Sequence, residues 1–251
     1  MVQLKSAREI EVMADGGRIL VATLDHAAKA VTPGLTTWEL DQVIETFIRS
    51  HAGAVPAFKG LYGFPGSACI SVNQEIVHGI PSKQRVLVEG DIVTLDIGVK
   101  YRGYYTDSAR TVPVGRIDAE STRLLEVTQA SLAAGLAQCI AGHHLGDIGH
   151  AVQSVVERAG FSVVRELVGH GVGSSLHEEP QVPNYGKPKR GMTLVPGMTL
   201  AIEPMVNIGR AETKTLADKW TVVTADGSRS AHFEHTVAIT EDGPRILTLA
   251  A

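Results

Sequence analysis

The sequence predicts an α+β fold built from two similar halves, each a pair of helices followed by a run of strands. Three observations carry this: the order helix, helix, strands occurs twice, a turn glycine and the apolar face of the helix after it align between halves, and an acid-ended strand in one half overlays one in the other. Ser6 with Glu9 forms a capping box before a helical face of Ile10, Met13, Leu20 and Leu24, which ends by Thr32-Pro33-Gly34. Thr36 with Glu39 opens a second helix with Leu40, Val43, Ile44, Phe47 and Ile48 on one side. Extended, turn-rich sequence follows from about 54 to 114. Two more helices fit roughly 119–141 and 147–159, and the remainder again reads as strands.

The repeat can be tested by overlay. Gly34 falls on Gly142, and the same offset pairs Leu40 with Ile148, Ile44 with Val152 and Phe47 with Val155. One residue less, the run Gly90–Asp96 overlays Gly197–Glu203, and Asp107 corresponds to Glu234 at the larger offset of 127, once the second half carries twenty extra residues between its two acids. No linker separates the halves, so the expectation is one catalytic domain over 1–251, with halves of about 1–115 and 116–251 sharing one sheet and one core.

Composition narrows the function. Apolar residues make up 44 % of the 251 residues, enough for a sizeable core, while aromatics at 5 % make that core aliphatic. A formal charge of −4 and a pI near 6.2 speak against a grip on nucleic acid, which needs clustered cations. The densest basic run, Lys187-Pro188-Lys189-Arg190, reads as a solvated loop, with transient contact to an acidic partner such as a ribosome surface as the minor reading. Cys69 and Cys139 are the only cysteines, which fits a reducing compartment. No signal peptide follows Met1 and no long apolar run occurs, so the expectation is a cytoplasmic protein without a membrane span.

The acids need a reason. Val93, Leu95 and Ile97 alternate with Thr94, Asp96 and Gly98, a strand with one apolar face, and Asp107 lies on the next strand, about Tyr104–Val112. Without a bulge, both aspartates share a face of this hairpin. A turn at Tyr101-Arg102 sets them opposite; one at Arg102-Gly103 shifts them by one pair. Facing like charges destabilise a strand pair. If the repeat adds Glu203 and Glu234, about four negative charges gather, which two divalent cations would cancel. His170, in Gly169-His170-Gly171-Val172-Gly173, is the nitrogen donor, with glycines leaving room for a cation or substrate. One imidazole with four carboxylates favours Mn, Fe or Co, with Zn also open.

With these residues in view, the chain resembles the bacterial type I methionine aminopeptidases. The resemblance runs along essentially the whole sequence: Ser71-Val72-Asn73 through His78-Gly79-Ile80-Pro81, Gly90-Asp91 through Asp96, Tyr105-Thr106-Asp107, Gly169 through Gly173, His177-Glu178-Glu179-Pro180, Ile202-Glu203-Pro204-Met205-Val206 and Phe233-Glu234-His235-Thr236. It implies the pita-bread fold, two pseudo-symmetric halves with a curved antiparallel sheet covered by helices. It also implies removal of the amino-terminal methionine from nascent chains whose second residue is small, by a monomer carrying two divalent metal ions. Asp107 and Glu234 match ligands that bridge both ions, Asp96 a chelator of one, and His170 with Glu203 ligands of the other. Glu203 matches the proton shuttle, His177 the group facing the substrate carbonyl, and His78 a contact to the substrate backbone or leaving nitrogen. Phe64, Cys69 and Trp220 match the methionine pocket, beside Leu176. Leu176 and Phe58 depart from residues found in some relatives, which reshapes the pocket wall and leaves the metals untouched. Thirty residues lie between Glu203 and Glu234, too few for the helical insertion of type II enzymes.

Three other readings can be separated by experiment. A prolidase or aminopeptidase P resembles this fold and ligand set, but usually carries an additional amino-terminal domain. A metal-free binding protein on the same fold would be expected to lose ligands. A serine hydrolase using Ser174 or Ser175 lacks a Gly-x-Ser-x-Gly elbow.

Overall fold

Four helices coat one side of a set of antiparallel strands in the computed structural model, which describes residues 2–249. Helix α1 (Ala7–Ala30) and helix α2 (Thr37–Arg49) both start on complete capping boxes, Ser6 with Glu9 and Thr36 with Glu39. Helix α3 (Ala119–Leu136) starts on Asp118, whose side chain accepts from the Ser121 amide. It stops five residues short of the expectation, because the chain turns at Ala137 toward the left-handed Gly142. Helix α4 (Leu145–Arg158) begins two residues earlier than the sequence suggested, since Asp147 acts back on the His144 amide as the third residue of the cap.

The two helix pairs bury equivalent cores. Leu20, Leu24, Leu40, Ile44 and Ile48 pack on Val93, Leu95, Ile97 and Val99 of the strand Ile92–Tyr101. Leu132, Leu136 and Ile148 pack on Leu200, Ile202, Val237 and Ile239. Burying such a side chain is worth about 1.5–3 kcal/mol, so these interlocked faces dominate the stability. Because strand residues alternate, burying Val93, Leu95 and Ile97 under helices turns Thr94 and Asp96 to the opposite face.

The strands do not form one continuous ladder. Four hydrogen-bonded sheets are present among the described residues. One is built around Ile92–Tyr101, and a five-stranded one contains Gly169–Gly171, Thr199–Ile202 and His235–Thr240. Between them, hydroxyl groups replace part of the backbone ladder. Thr236 Oγ1 donates to the Asp107 carbonyl at 2.8 Å and accepts from the Asp107 amide at 3.0 Å; Ser108 Oγ donates to the Glu234 carbonyl at 2.6 Å. The Glu234 amide donates to the Ala109 carbonyl at 2.9 Å. This seam brings Asp107 and Glu234 together from strands 127 positions apart.

The hairpin register settles the turn. Tyr101 pairs with Tyr104, so Arg102-Gly103 is the turn, with φ of 49° and 92°. That left-handed pair suits the twist of a two-residue hairpin. Asp96 therefore faces Ala109 and Asp107 faces Gly98, a diagonal relation on one face. No helix among the described residues is long and apolar enough to cross a membrane. Lys187–Arg190 is an exposed loop, tied by the Lys189 amide to Asp147.

Candidate metal centre and its cavity

A cavity of about 510 Å³ opens on the strand face away from the helices, and Asp96, Asp107, His170, Glu203 and Glu234 all line it. Asp107, His170 and Glu234 each offer a ligand atom within 4.8 Å of the other two. His170 Nε2 lies 3.5 Å from Glu203 Oε1 and 4.0 Å from Asp107 Oδ2. Asp96 joins from the neighbouring strand, close enough to Glu203 for their charges to repel.

Glycine sets the position of His170, though not by leaving space for a ligand. A Cβ on Gly169 would stand 2.3 Å from the Ala201 carbonyl oxygen, and one on Gly171 2.3 Å from that of Glu179. The glycines make room for the flanking strands, which clamp the histidine backbone from both sides. His170 Nδ1 lies 2.8 Å from the Gly171 carbonyl, which makes it the protonated nitrogen and leaves the Nε2 lone pair toward the acids.

The electrostatics are those of a site short of positive charge. Burial lifts Asp96 to about 7, with His232 pulling the other way, and lifts Glu203 to about 7 against the attraction of His170. Asp107 and Glu234 rise well above the carboxylate range, through burial and then through the other acids. Burial, opposed by Glu203, lowers His170. Among the described residues, no lysine or arginine pairs with any of the four acids. Asp96 Oδ1, Asp107 Oδ1 and Glu234 Oε1 are buried without a hydrogen-bond partner. Orphaned buried oxygens are costly, and oxygen-rich sets with one imidazole match hard or borderline divalent cations. The donor set fits a metal centre.

Beside the acids lies an apolar recess. Phe58, Phe64, Cys69 and Leu176 are buried together, with Trp220 packed against them. The Phe64 and Trp220 rings meet edge-on at 5.1 Å, and Cys69 pairs with Asp96 across the strands, joining recess and acids. Burial and the adjoining acids push the Cys69 thiol well up, so it is a neutral wall group. His78 sits at φ 59° just after the strand Glu75–Val77, 6.4 Å from the Trp220 ring. Burial and then His232 bring His78 down to about 4. His177 stands at the mouth, edge-on to His170 at 4.5 Å and stacked on Tyr62 at 6.0 Å. The structure thus gathers Asp96, Asp107, His170, Glu203, Glu234, His78, His177, Phe58, Phe64, Cys69, Leu176 and Trp220 around one cavity, and leaves Ser174 and Ser175 outside its lining.

Sequence reasoning missed Tyr62, His232 and the buried pair of Lys5 with Glu178. His232 carried one usable signal: it lies two positions before Glu234, the spacing that puts strand residues on one face. Tyr62 and Lys5 carried none, because their partners lie more than a hundred positions away.

Known proteins share the sequence and the fold. A methionine aminopeptidase 1 from Bacillus subtilis (strain 168) is 56 % identical over 248 residues, covering 99 % of each chain. The crystal structure of a methionine aminopeptidase from Thermotoga maritima superposes with a TM-score of 0.96 at 46 % identity, covering 99 % of both chains. That of the enzyme from Rickettsia prowazekii gives 0.97 at 40 % identity, covering 99 % of this chain and 100 % of that one. The family model for Metallopeptidase family M24 matches residues 11–241, a span that holds most of α1, the other three helices, and Asp96, Asp107, His170, Glu203 and Glu234. With both halves of the fold inside that match, the chain belongs to metallopeptidase family M24.

Proposed function

We propose that this chain is a methionyl aminopeptidase that removes the initiator methionine from nascent chains with a small second residue. What supports the reading most is the juxtaposition of an acid-rich cluster with orphaned oxygens and a narrow apolar recess of Phe64, Cys69, Leu176 and Trp220. An unbranched thioether suits that recess, and the free amine and first carbonyl would then lie over the acids.

In this reading Asp96, Asp107, His170, Glu203 and Glu234 would hold two divalent ions, Co, Mn, Fe or Zn, which would supply a water of lowered pKa and a Lewis acid for the scissile carbonyl. Glu203 accepts the proton of the attacking water and passes it to the leaving amine. His177 donates a hydrogen bond to the carbonyl oxygen as negative charge develops there. His78, neutral at pH 7 because its pKa is near 4, serves the substrate backbone or leaving nitrogen as a hydrogen-bonding imidazole and not as a cation. Phe58 and Leu176 set the tolerance of the recess. The protein acts as a monomer in the cytoplasm, with the exposed Lys187–Arg190 loop available for transient contact with the ribosome.

The test compares a Met-Ala-Ser peptide with Xaa-Pro peptides after reconstitution with Mn, Fe, Co or Zn. Metal-dependent release of methionine is expected; a preference for Xaa-Pro, or undiminished activity after chelation, overturns the reading.

A further inference from the structure

His232 is 1 % exposed, and neither ring nitrogen has a hydrogen-bond partner. A buried imidazole with two idle nitrogens is an expensive filler, so its surroundings matter. Its backbone is fixed twice through one hydroxyl. The His232 amide donates to Thr111 Oγ1 at 2.9 Å, and that hydroxyl donates to the His232 carbonyl at 2.9 Å. Thr94 Oγ1 lies 2.8 Å from Thr111 Oγ1 and, with the Thr111 proton already committed, is the donor of that contact. The ring is thereby aimed at the acids, where Nε2 stands 3.5 Å from Glu203 Oε2.

Glu203 is bracketed. One carboxylate oxygen faces His170 Nε2 and the other faces His232 Nε2, each at 3.5 Å. Its backbone carbonyl accepts from the buried Asn184 side chain at 3.0 Å, so the main chain is anchored and only the side-chain torsions need a partner. As a metal ligand Glu203 would be a carboxylate with no proton to give, so His232 would meet it as an Nε2–H donor. Such contacts are often long in unliganded sites and tighten in the complex.

We infer that His232 is a positioning residue for Glu203: its Nε2–H holds Glu203 Oε2 and thereby presents Oε1 to the cavity for ligation and proton transfer. The inference rests on the aminopeptidase reading for its kinetic half, while its metal-binding half stands without it. His232 fits this role better than that of a direct ligand. The tight three-residue cluster is Asp107, His170 and Glu234, and Glu203 is the one acid His232 approaches within 4 Å among the described residues.

The experiment uses the full chain as H232L, which removes the donor, and H232Q, which restores one. Cobalt titration by calorimetry and the absorption spectrum of the cobalt form are read beside kcat and KM for Met-Ala-Ser. For H232L the expectation is weaker cobalt binding and a kcat lowered roughly 10–100-fold, with KM little changed, as for other residues that orient a metal ligand. H232Q recovers most of both. Parental behaviour of H232L in affinity and kcat reduces His232 to packing and overturns the inference. So do equal losses in H232L and H232Q, which would report side-chain volume. A cobalt spectrum of altered coordination number in H232L overturns it in favour of direct ligation. Should H232L fail to fold by circular dichroism, H232M against H232Q carries the same comparison. Weaker cobalt binding in H232L with a parent inactive on Met-Ala-Ser would sink the functional reading and leave this inference standing, whereas unchanged cobalt binding with an active parent would do the reverse.

Discussion

Lys5 and Glu178, 173 positions apart, form a buried ion pair that ties the amino-terminal segment to the loop carrying His177. The same carboxylate accepts from the Ser175 amide at 3.0 Å, and the Ser174 hydroxyl, 2.8 Å from both Glu178 and the Gln3 side chain, bridges the two. The Lys5 amide is itself anchored on the Gly197 carbonyl at 2.7 Å. The segment thus works as a strap on the Ser174–Glu178 loop that carries His177. Lys5→Met leaves Glu178 buried without its cation, a change that costs about 3–5 kcal/mol for buried pairs. The expected result is a clear drop in melting temperature and a kcat/KM for Met-Ala-Ser lowered by about tenfold, since His177 adjoins the loosened residue. An unchanged melting curve would show the strap to be passive.

Asp107 is central to the acid cluster and is held by Thr236 at both backbone groups. Asp107→Asn keeps the shape and removes the charge. Tight metal binding and methionine release should both be lost, by more than the roughly 10–100-fold typical of residues that only support a ligand. Calorimetry with Mn or Co, paired with the peptide assay, checks this; retention of either would remove Asp107 from the centre.

Metal-free protein should be stabler in mild acid than in mild base. Asp96 and Glu203 have pKa values raised to about 7 in the folded chain, above the ordinary value near 4. Groups raised in this way bind protons more tightly when folded, so their stabilisation is present below about pH 4 and lost as pH climbs through 7. Asp107 and Glu234, raised well above their ordinary values by burial and then by the other acids, act in the same direction. Melting of the chelated protein should therefore fall between pH 5.5 and 8.5, and the stabilisation on adding metal should grow over that range. A chelated protein whose melting temperature rises with pH in this window would contradict the crowding of acids.

Leu176 closes the recess against Phe58 and Phe64. Leu176→Ala should widen it, so that peptides beginning with leucine or phenylalanine gain on methionine by about 10–200-fold in relative kcat/KM, the range that one apolar contact commands. Metal affinity should not move. Selectivity unchanged in this variant would place the methionine side chain elsewhere.

Much of this was legible in advance, for physical reasons that differ by element. The capping boxes at Ser6 and Thr36 are local chemistry, complete within four residues, and they mark the helix starts. Asp96 and Asp107 could be put on one face because strand alternation has a period of two, but the register waited on the turn. Arg102 adopts φ 49°, and nothing in an arginine announces a left-handed turn. The glycines around His170 were read as room for a ligand, whereas they accommodate neighbouring carbonyls; a sequence displays the glycine and hides the strand that needs it. The hydroxyl seam, the strap at Lys5 and the aim of His232 all join segments more than a hundred positions apart. No window along the chain contains both partners.

Cys69 in the recess and Cys139 beyond helix α3 are both buried and unpaired with each other, and burial pushes Cys139 to about 12. Thiol reagents react with the thiolate, so the native molecule should be nearly silent toward them. That silence makes the two sulfurs natural clocks. Labelling at Cys139 times the unravelling of its own half, labelling at Cys69 times the opening of the substrate chamber, and the interval between them measures whether the halves come apart together.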